Sequence, residues 1–245
     1  PESGAVRCEQ VVLAGGAWSS LFARRHAIEL PQLTVKGTVA LTAPLPEFAL
    51  GNFSDDQLAF RRRGDGGFTL ALTDRHDFYL GRDALRHLRI YLPLLRDHWK
   101  NLDVHLAAPT AFPDAWGVER RWSEDEQSPF ESNRVLEPVP NADHVRRMTE
   151  LFSERFPREG KPVCLQTWAG MIDAMPDIVP VIDRAPSVGN LVIATGLSGH
   201  GFGIGPGVGR VVARMAAGLE PEHDLRRFRY QRFTDGSPLM LGTAL

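Results

Sequence analysis

A glycine-dense segment near the carboxyl end of the chain narrows the possible folds more than any other part of the sequence. Within residues 190–218 the apolar run LVIA leads into glycines at positions 196, 199, 201, 203, 205 and 207. An amphipathic stretch follows and ends at Gly218. This order predicts a buried strand, a loop whose backbone can approach a ligand closely, and then a helix.

We expect that helix over residues 207–217, with Val208, Val211, Val212 and Met215 on its buried face. The first amides of a helix have no partner within the helix, and its amino end carries partial positive charge. The loop over 196–205 and the helix start therefore predict a site for an anionic or electron-rich ligand.

Two further stretches support a resemblance to one enzyme family. VVLAGGAWSS at residues 11–20 and WAGMIDAMPDIVPVID at 168–183 precede the glycine segment. Together the three stretches resemble the D-amino-acid-oxidase-like (DAO) family of FAD-dependent oxidoreductases, which contains glycine oxidase, sarcosine oxidase and D-amino-acid dehydrogenase. The resemblance covers both ends of the chain well and residues 34–162 loosely.

The resemblance implies an α/β (α+β) fold with a discontinuous FAD-binding domain. Residues 1–30 and 166–245 would form part of that domain, and residues 31–165 a substrate domain on a mostly antiparallel sheet. It also implies an FAD-dependent enzyme that oxidises the C–N bond of an amino acid or related amine by hydride transfer to flavin.

The same resemblance implies which residues contact the cofactor. Glycines and their neighbours in all three stretches would line the flavin, and His200 is the one candidate for a catalytic side chain. The implied cofactor contacts are Gly15, Gly16, Trp18, Gly170, Met171, Ile172, Gly196, Ser198, Gly199, His200, Gly201 and Phe202.

The substrate side departs from the family in three places. Ile172 stands where some members carry an arginine that binds the substrate carboxylate, so bidentate pairing is not available there. Gly170 replaces the cysteine that tethers flavin in other members, and Gly203 replaces a lysine of sarcosine-oxidase-like members. Arg62, Ile172 and His200 are the candidate substrate contacts, although an arginine run such as 61–63 is more often a solvated surface.

Composition excludes several other classes of function. The 245 residues carry a formal net charge of −2 with mixed signs, which argues against nucleic acid as a partner. The two cysteines cannot form a disulfide framework or a C-x-x-C zinc site, and we predict no metal. No apolar run reaches about 20 residues, so we expect a cytoplasmic protein without a transmembrane segment.

Two alternatives to a flavin enzyme remain open. The glycine fingerprint G-x-G-x-x-G, which binds dinucleotide phosphates, does not occur in the 245 residues. The chain is therefore expected to lack an amino-terminal segment, to work within an oligomer, or to be a truncated fragment without cofactor or activity. GLSGH at 196–200 also resembles the nucleophile elbow of a serine hydrolase, with Ser198 as nucleophile.

Periodicity predicts the remaining elements. We expect a strand over 10–14, a helix over 17–27, and a β-strand with Val35, Val39 and Leu41 on one face. Asp83 would cap a helix carrying leucines at 85, 88, 92 and 95, and Asn141 would cap a second helix.

Overall fold

A computed structural model describes residues 4–110, 112–123 and 125–241 and contains two β-sheets. Mixed α/β architecture with mostly antiparallel strands confirms the predicted fold class. Across these residues, no helix combines the length and the apolar character that crossing a bilayer requires.

The larger sheet is built around one long strand, β2. On one edge β2 pairs antiparallel with β8 over its full length, and on the other edge it pairs first with β6 and then with β5. Hairpin neighbours β3 and β4 extend the β5 side, and β7 lies parallel to β6. The strands are β2 (Leu33–Thr42), β3 (Asn52–Ser54), β4 (Leu58–Arg62), β5 (Phe68–Leu72), β6 (His76–Tyr79), β7 (Leu102–His105) and β8 (Cys164–Ala174).

The smaller sheet joins the two ends of the chain. β1 (Val11–Leu13) runs parallel to β10 (Leu191–Thr195), and β9 (Val181–Arg184) pairs antiparallel with the other edge of β10. All five residues of β10 are buried, as expected for a central strand covered on both faces.

Helices cover both sheets. They are α1 (Ser19–Arg25), which follows a short 3₁₀ turn at Gly16–Trp18, α2 (Arg82–His98), α3 (Pro129–Ser132), α4 (Ala142–Arg155) and α5 (Gly201–Ala216).

The helix predicted after Asn141 is confirmed as α4. The Asn141 side chain accepts hydrogen bonds from the backbone N–H groups of Asp143 and His144, which satisfies two free donors of the helix start. Met148 and Phe152 are fully buried against the face of the larger sheet that carries Leu70. The hydrophobic core of the larger sheet therefore lies between this face and α4.

Helix α5 begins six residues earlier than the sequence predicts. The expected start at residue 207 is wrong, because Gly201 already belongs to the helix and Pro206 lies inside it. Five glycines and a proline weaken such a helix intrinsically. Packing of Val211, Val212 and Met215 against β10 outweighs this cost.

Helix α2 also differs from expectation at its start and on its surface. Gly81, not Asp83, occupies the N-cap position, and the Asp83 carboxylate is buried in ion pairs with Arg24 and Arg120. Leu85, Leu88 and Leu92 of the predicted apolar stripe are largely exposed, while the side chains that face the sheet include Ala84 and Tyr91.

One element crosses the predicted domain boundary. The sequence places that boundary between residues 165 and 166, but β8 begins at Cys164 and pairs with β2 down to Ala174. This strand belongs to the larger sheet. The division into a cofactor domain and a substrate domain stays a prediction.

Candidate functional site

Two glycine-containing segments meet at the carboxyl ends of β1 and β10. These strands are parallel neighbours, so the chain leaves both at the same edge of the sheet. The carbonyl of Gly16, after β1, accepts a 2.7 Å hydrogen bond from Gln32 Nε2. Thr195 Oγ1, at the end of β10, lies 3.2 Å from Gln32 Oε1. The turn at 15–16 and the start of the loop predicted over 196–205 are thereby joined.

Asp173, near the end of β8, anchors the loop that follows β10. Its Oδ2 accepts a 2.7 Å hydrogen bond from the Gly196 N–H, and its carbonyl accepts a 2.9 Å bond from the Ser198 N–H. Burial raises the pKa of this carboxyl above its ordinary value, against the lowering effect of these backbone donors. Sequence reasoning missed the role of Asp173 as the residue that anchors this loop.

The loop itself is held in a left-handed conformation. Gly196 has φ of 73°, and a Cβ at this position would lie 2.2 Å from Met175 Cγ, so only glycine fits. Ser198, which is not a glycine, has φ of 48°. Its Oγ donates to the Gly196 carbonyl at 3.1 Å and accepts from the Met175 N–H at 3.2 Å. These bonds offset the strain of the backbone.

The burial of Ser198 corrects two expectations. Its side chain is fully buried, so it cannot touch a cofactor directly and instead positions the loop. The serine-hydrolase alternative is also wrong, because a nucleophile elbow must expose its hydroxyl to substrate.

The amino end of α5 presents backbone donors to the outside. In the part of the chain that the structure describes, no partner is found for the N–H groups of Gly199, Gly201 and Phe202. The Phe202 side chain is 98% exposed, and no atom lies within 4 Å of a Cβ built on Gly203. His200 is the N-cap residue, and its side chain makes no cap hydrogen bond. The result is an open backbone surface at the positive end of a helix.

β8 brings Gly170 and Ile172 to one face of the larger sheet. No atom lies within 4 Å of a Cβ built on Gly170. Ile172 pairs with Val35 across the strands, and its Cδ1 would lie 3.2 Å from a Cβ on Gly37. His76 Cδ2 borders the same gap at 4.0 Å. A glycine within a strand often marks a place where another group packs close to the backbone. Gly37 is therefore the sequence signal that could have predicted the close packing of Ile172 against β2.

Met171 and Trp18 lie on the other face of β8. Met171 packs in a cluster with Trp18, and the Trp18 ring makes an edge contact with Phe130 at 5.7 Å between centroids. The structure therefore brings the stretch around residue 18 next to β8. The predicted cofactor contacts of Trp18 and Met171 stay predictions.

Arg62 lies away from Ile172. It pairs with Phe68, whose side chain belongs to the core under α4, whereas Ile172 alternates onto the opposite face. The Arg62 guanidinium donates to the Pro46 carbonyl at 3.1 Å and lies over the Phe68 ring. The structure does not bring this predicted substrate contact to the candidate site.

An apolar cavity of about 380 Å³ adjoins the Ile172 face. It lies between α2 and the strands β2, β6 and β7, and His76, Val35 and Ala174 form the side towards Ile172. Leu85 and Leu88 of α2 line the opposite side of this cavity, so part of the exposed surface of both leucines faces the cavity.

A separate cluster has the residue types of a metal site. Single ligand atoms of Asp77, Asp103 and His144 lie within 4.8 Å of one another. Asp77 is already engaged, since Lys36 Nζ lies 3.3 Å from Oδ2 and His105 Nε2 lies 2.7 Å from Oδ1. We interpret the cluster as an ion network that joins β6, β7 and α4. The predicted absence of a metal stays a prediction.

The residues at the candidate site fit the ring end of a flavin. They offer a glycine surface, unpartnered backbone donors and a helix start, which together suit a flat, electron-rich group. The glycines of this site do not follow the G-x-G-x-x-G spacing that binds the phosphates of a dinucleotide.

Comparisons with known proteins show which family the chain belongs to. Residues 1–215 match the profile of the DAO family, described as FAD dependent oxidoreductase. N-methyl-L-tryptophan oxidase of Salmonella newport is 42% identical over 71 residues, which cover 29% of this chain and 19% of that protein. Human peroxisomal sarcosine oxidase is 43% identical over 58 residues, covering 24% of this chain and 15% of that protein.

A solved structure extends the likeness to almost the whole chain. L-amino acid deaminase from Proteus myxofaciens, in complex with anthranilate, superposes with a TM-score of 0.87 at 27% identity, over 96% of this chain and 52% of that one. The chain thus spans about half the length of this structure, and its matched segments span 19% and 15% of the two curated relatives.

Proposed function

Because the chain belongs to the DAO family of FAD-dependent oxidoreductases, we propose that its protein oxidises the C–N bond of an amino acid or related amine. The observation that carries the proposal is the meeting of the 15–16 turn and the 196–200 loop at the carboxyl ends of β1 and β10, with the end of β8 held against that loop through Asp173.

FAD, when bound, supplies the acceptor for a hydride from the substrate's α-carbon. The chain's own contribution is electrostatic. N–H groups at Gly199, Gly201 and Phe202 and the positive end of α5 favour negative charge on a group beside them.

Preorganisation of these donors comes from Asp173 and Ser198. Both hold the loop by hydrogen bonds to backbone groups. The left-handed backbone conformation of Gly196 further restricts the path of the loop. Donors that are fixed before the reaction need no reorganisation when charge develops. Asp173 and Ser198 are therefore positioning residues.

The apolar cavity supports a substrate with a large apolar side chain. It adjoins the sheet face that carries Ile172 and is lined by Val35, Leu85, Leu88 and His76, so an aliphatic or aromatic group would displace water from apolar surface. Ile172 cannot pair with a carboxylate, so this position contributes packing and exclusion of water.

The proposal is tested by adding FAD to the purified chain and removing the excess. We expect a retained flavin absorbance band, and amine-dependent reduction of an artificial electron acceptor that is faster with leucine or phenylalanine than with glycine or sarcosine. A protein that stays colourless contradicts a flavin site in this chain. That outcome supports the alternative of a cofactor-free, inactive chain, which the missing phosphate fingerprint favours.

A matched pair of variants on β8 localises the site. Gly170→Leu places a side chain in open space and should lower FAD retention by about tenfold or more, a loss of at least ~1.4 kcal/mol of binding. Thr167→Leu adds similar bulk to the exposed opposite face of the strand and should leave retention unchanged. Equal retention in both variants would contradict this placement.

A further inference from the structure

A basic groove of about 890 Å³ lies at the opposite end of α1 from the flavin candidate. Its walls are the last turn of α1, the first turn of α2 and the loop over residues 116–122. Six arginines line this basic groove: Arg24, Arg25, Arg82, Arg86, Arg120 and Arg121.

Two of the arginines are fixed in place by buried acids. Asp83 accepts from both Arg24 and Arg120, and Asp114 accepts from Arg120 and from the Asp83 backbone N–H. The side chains of Arg24 and Arg120 are only 16% and 10% exposed. Within the described part of the chain, the buried atoms Arg24 Nε, Arg24 Nη1 and Arg120 Nε have no hydrogen-bond partner. Their positive charge is therefore only partly compensated by Asp83 and Asp114.

The groove has more positive charge than its acids neutralise. Arg86 pairs with Glu29 at 2.9 Å, whereas the structure as described gives Arg25, Arg82 and Arg121 no carboxylate partner. Counted over the described residues, four carboxylates line the groove or pair with its arginines (Glu29, Asp83, Asp114 and Glu119), so the six arginines exceed them by two.

The start of α2 adds to this positive field. Arg82 is the first residue of a 17-residue helix, where a cation is unfavourable because the helix end is itself positive. A bound anion would relieve that repulsion as well as the mutual repulsion of the arginines.

We propose that the basic groove binds a small anion that carries two or more phosphate groups. Guanidinium groups suit phosphate because two N–H donors can pair with two of its oxygens. Trp116, which is 41% exposed, and Trp122 lie on the groove wall, so an aromatic ring attached to the phosphates can stack there. This site is separate from the flavin candidate and does not depend on the proposed oxidation.

The test is calorimetric titration of the chain, with saturating FAD present, by inorganic pyrophosphate, ADP and adenosine. We expect one site for pyrophosphate and for ADP, quenching of tryptophan fluorescence by ADP, and weaker binding at high salt. Adenosine alone should not bind. Absence of binding by both phosphates, or binding only when FAD is left out, would overturn a separate site.

Two charge-matched triple variants separate a specific site from general attraction. Arg25→Gln, Arg82→Gln and Arg121→Gln change exposed side chains that have no acid partner among the residues with described positions, and should weaken pyrophosphate binding by about tenfold or more. Arg89→Gln, Arg96→Gln and Arg158→Gln remove the same charge from exposed positions that do not line the groove, and should change binding by less than about twofold. An equal effect of the two triples would refute the proposal.

Discussion

Asp173 shows how one side chain links the stability of the chain to the candidate site. Burial raises the pKa of its carboxyl, so the folded chain holds this proton more tightly than the unfolded chain does. The free energy of unfolding must then fall as pH rises from the ordinary carboxyl range through the raised pKa, because the folded state alone carries the cost of a buried charge.

We predict that Asp173→Asn removes this part of the pH dependence. The variant keeps an oxygen that can accept from the Gly196 N–H but cannot ionise. Urea unfolding at pH 4.5, 5.5, 6.5 and 8 should show the variant gaining stability relative to the parent as pH rises, by about 1.4 kcal/mol for each unit of raised pKa. Asp56→Asn, at an exposed carboxyl, is the control and should show no such trend. Parallel curves for Asp173→Asn and its parent would contradict the assignment.

Sequence reasoning proposed the glycines of the candidate site but not the residues that hold the loop in place. Gly16, Gly170 and Gly201 stood out because they lie in patterns shared with a family. Gln32 and Asp173 did not, because their hydrogen bonds join residues 16 and 23 positions apart, which no local pattern reports. These long-range bonds become visible only in the folded chain.

At the level of elements, Tyr91 joins α2 to the larger sheet. Its fully buried hydroxyl accepts from the Leu33 N–H at 3.1 Å and lies 2.7 Å from the Ala174 carbonyl and 2.8 Å from the Pro31 carbonyl. One oxygen therefore connects the helix to the start of β2 and the end of β8, both of which border the apolar cavity.

We predict that Tyr91→Phe lowers the free energy of unfolding by about 1–3 kcal/mol, because it leaves the buried Leu33 N–H without a partner. Tyr79→Phe serves as a matched control, since hydrogen bonds to the Tyr79 hydroxyl are absent among the described residues. Urea unfolding followed by circular dichroism measures both. If the two variants lose equal stability, the hydroxyl of Tyr91 does not hold α2 in place.

The start of helix α5 is not predicted correctly by the helix propensities of its residues. The sequence predicts a start at residue 207 because glycines and a proline disfavour a helix before it. The structure begins the helix at Gly201, since Val211, Val212 and Met215 dock it on β10 and the loop anchored by Asp173 sets its direction. By contrast α4, with a capping asparagine and a regular apolar face, follows its local pattern.

For the molecule as a whole, the two sheets differ in how far apart their partners lie in the sequence. β3, β4 and β5 pair as successive hairpins, whereas β1 pairs with β10 across most of the chain, with Val11 opposite Leu191. Bringing β1 and β10 together closes a loop of most of the chain, and the loss of chain entropy precedes the favourable contacts between the two strands. The same separation explains why the resemblance, and not periodicity, predicted that the two chain ends belong together.

This difference predicts an order of folding. Leu70 in β5 and Leu191 in β10 are both at most 2% exposed, so truncation of either to alanine should cost about 2–5 kcal/mol. Leu70→Ala should slow refolding, because contacts among hairpin neighbours form early. Leu191→Ala should chiefly speed unfolding, because the small sheet is completed late. Stopped-flow tryptophan fluorescence over a range of urea concentrations separates the two rates. If Leu191→Ala instead slows refolding by the whole of its equilibrium effect while Leu70→Ala leaves refolding unchanged, the smaller sheet forms first and this order is wrong.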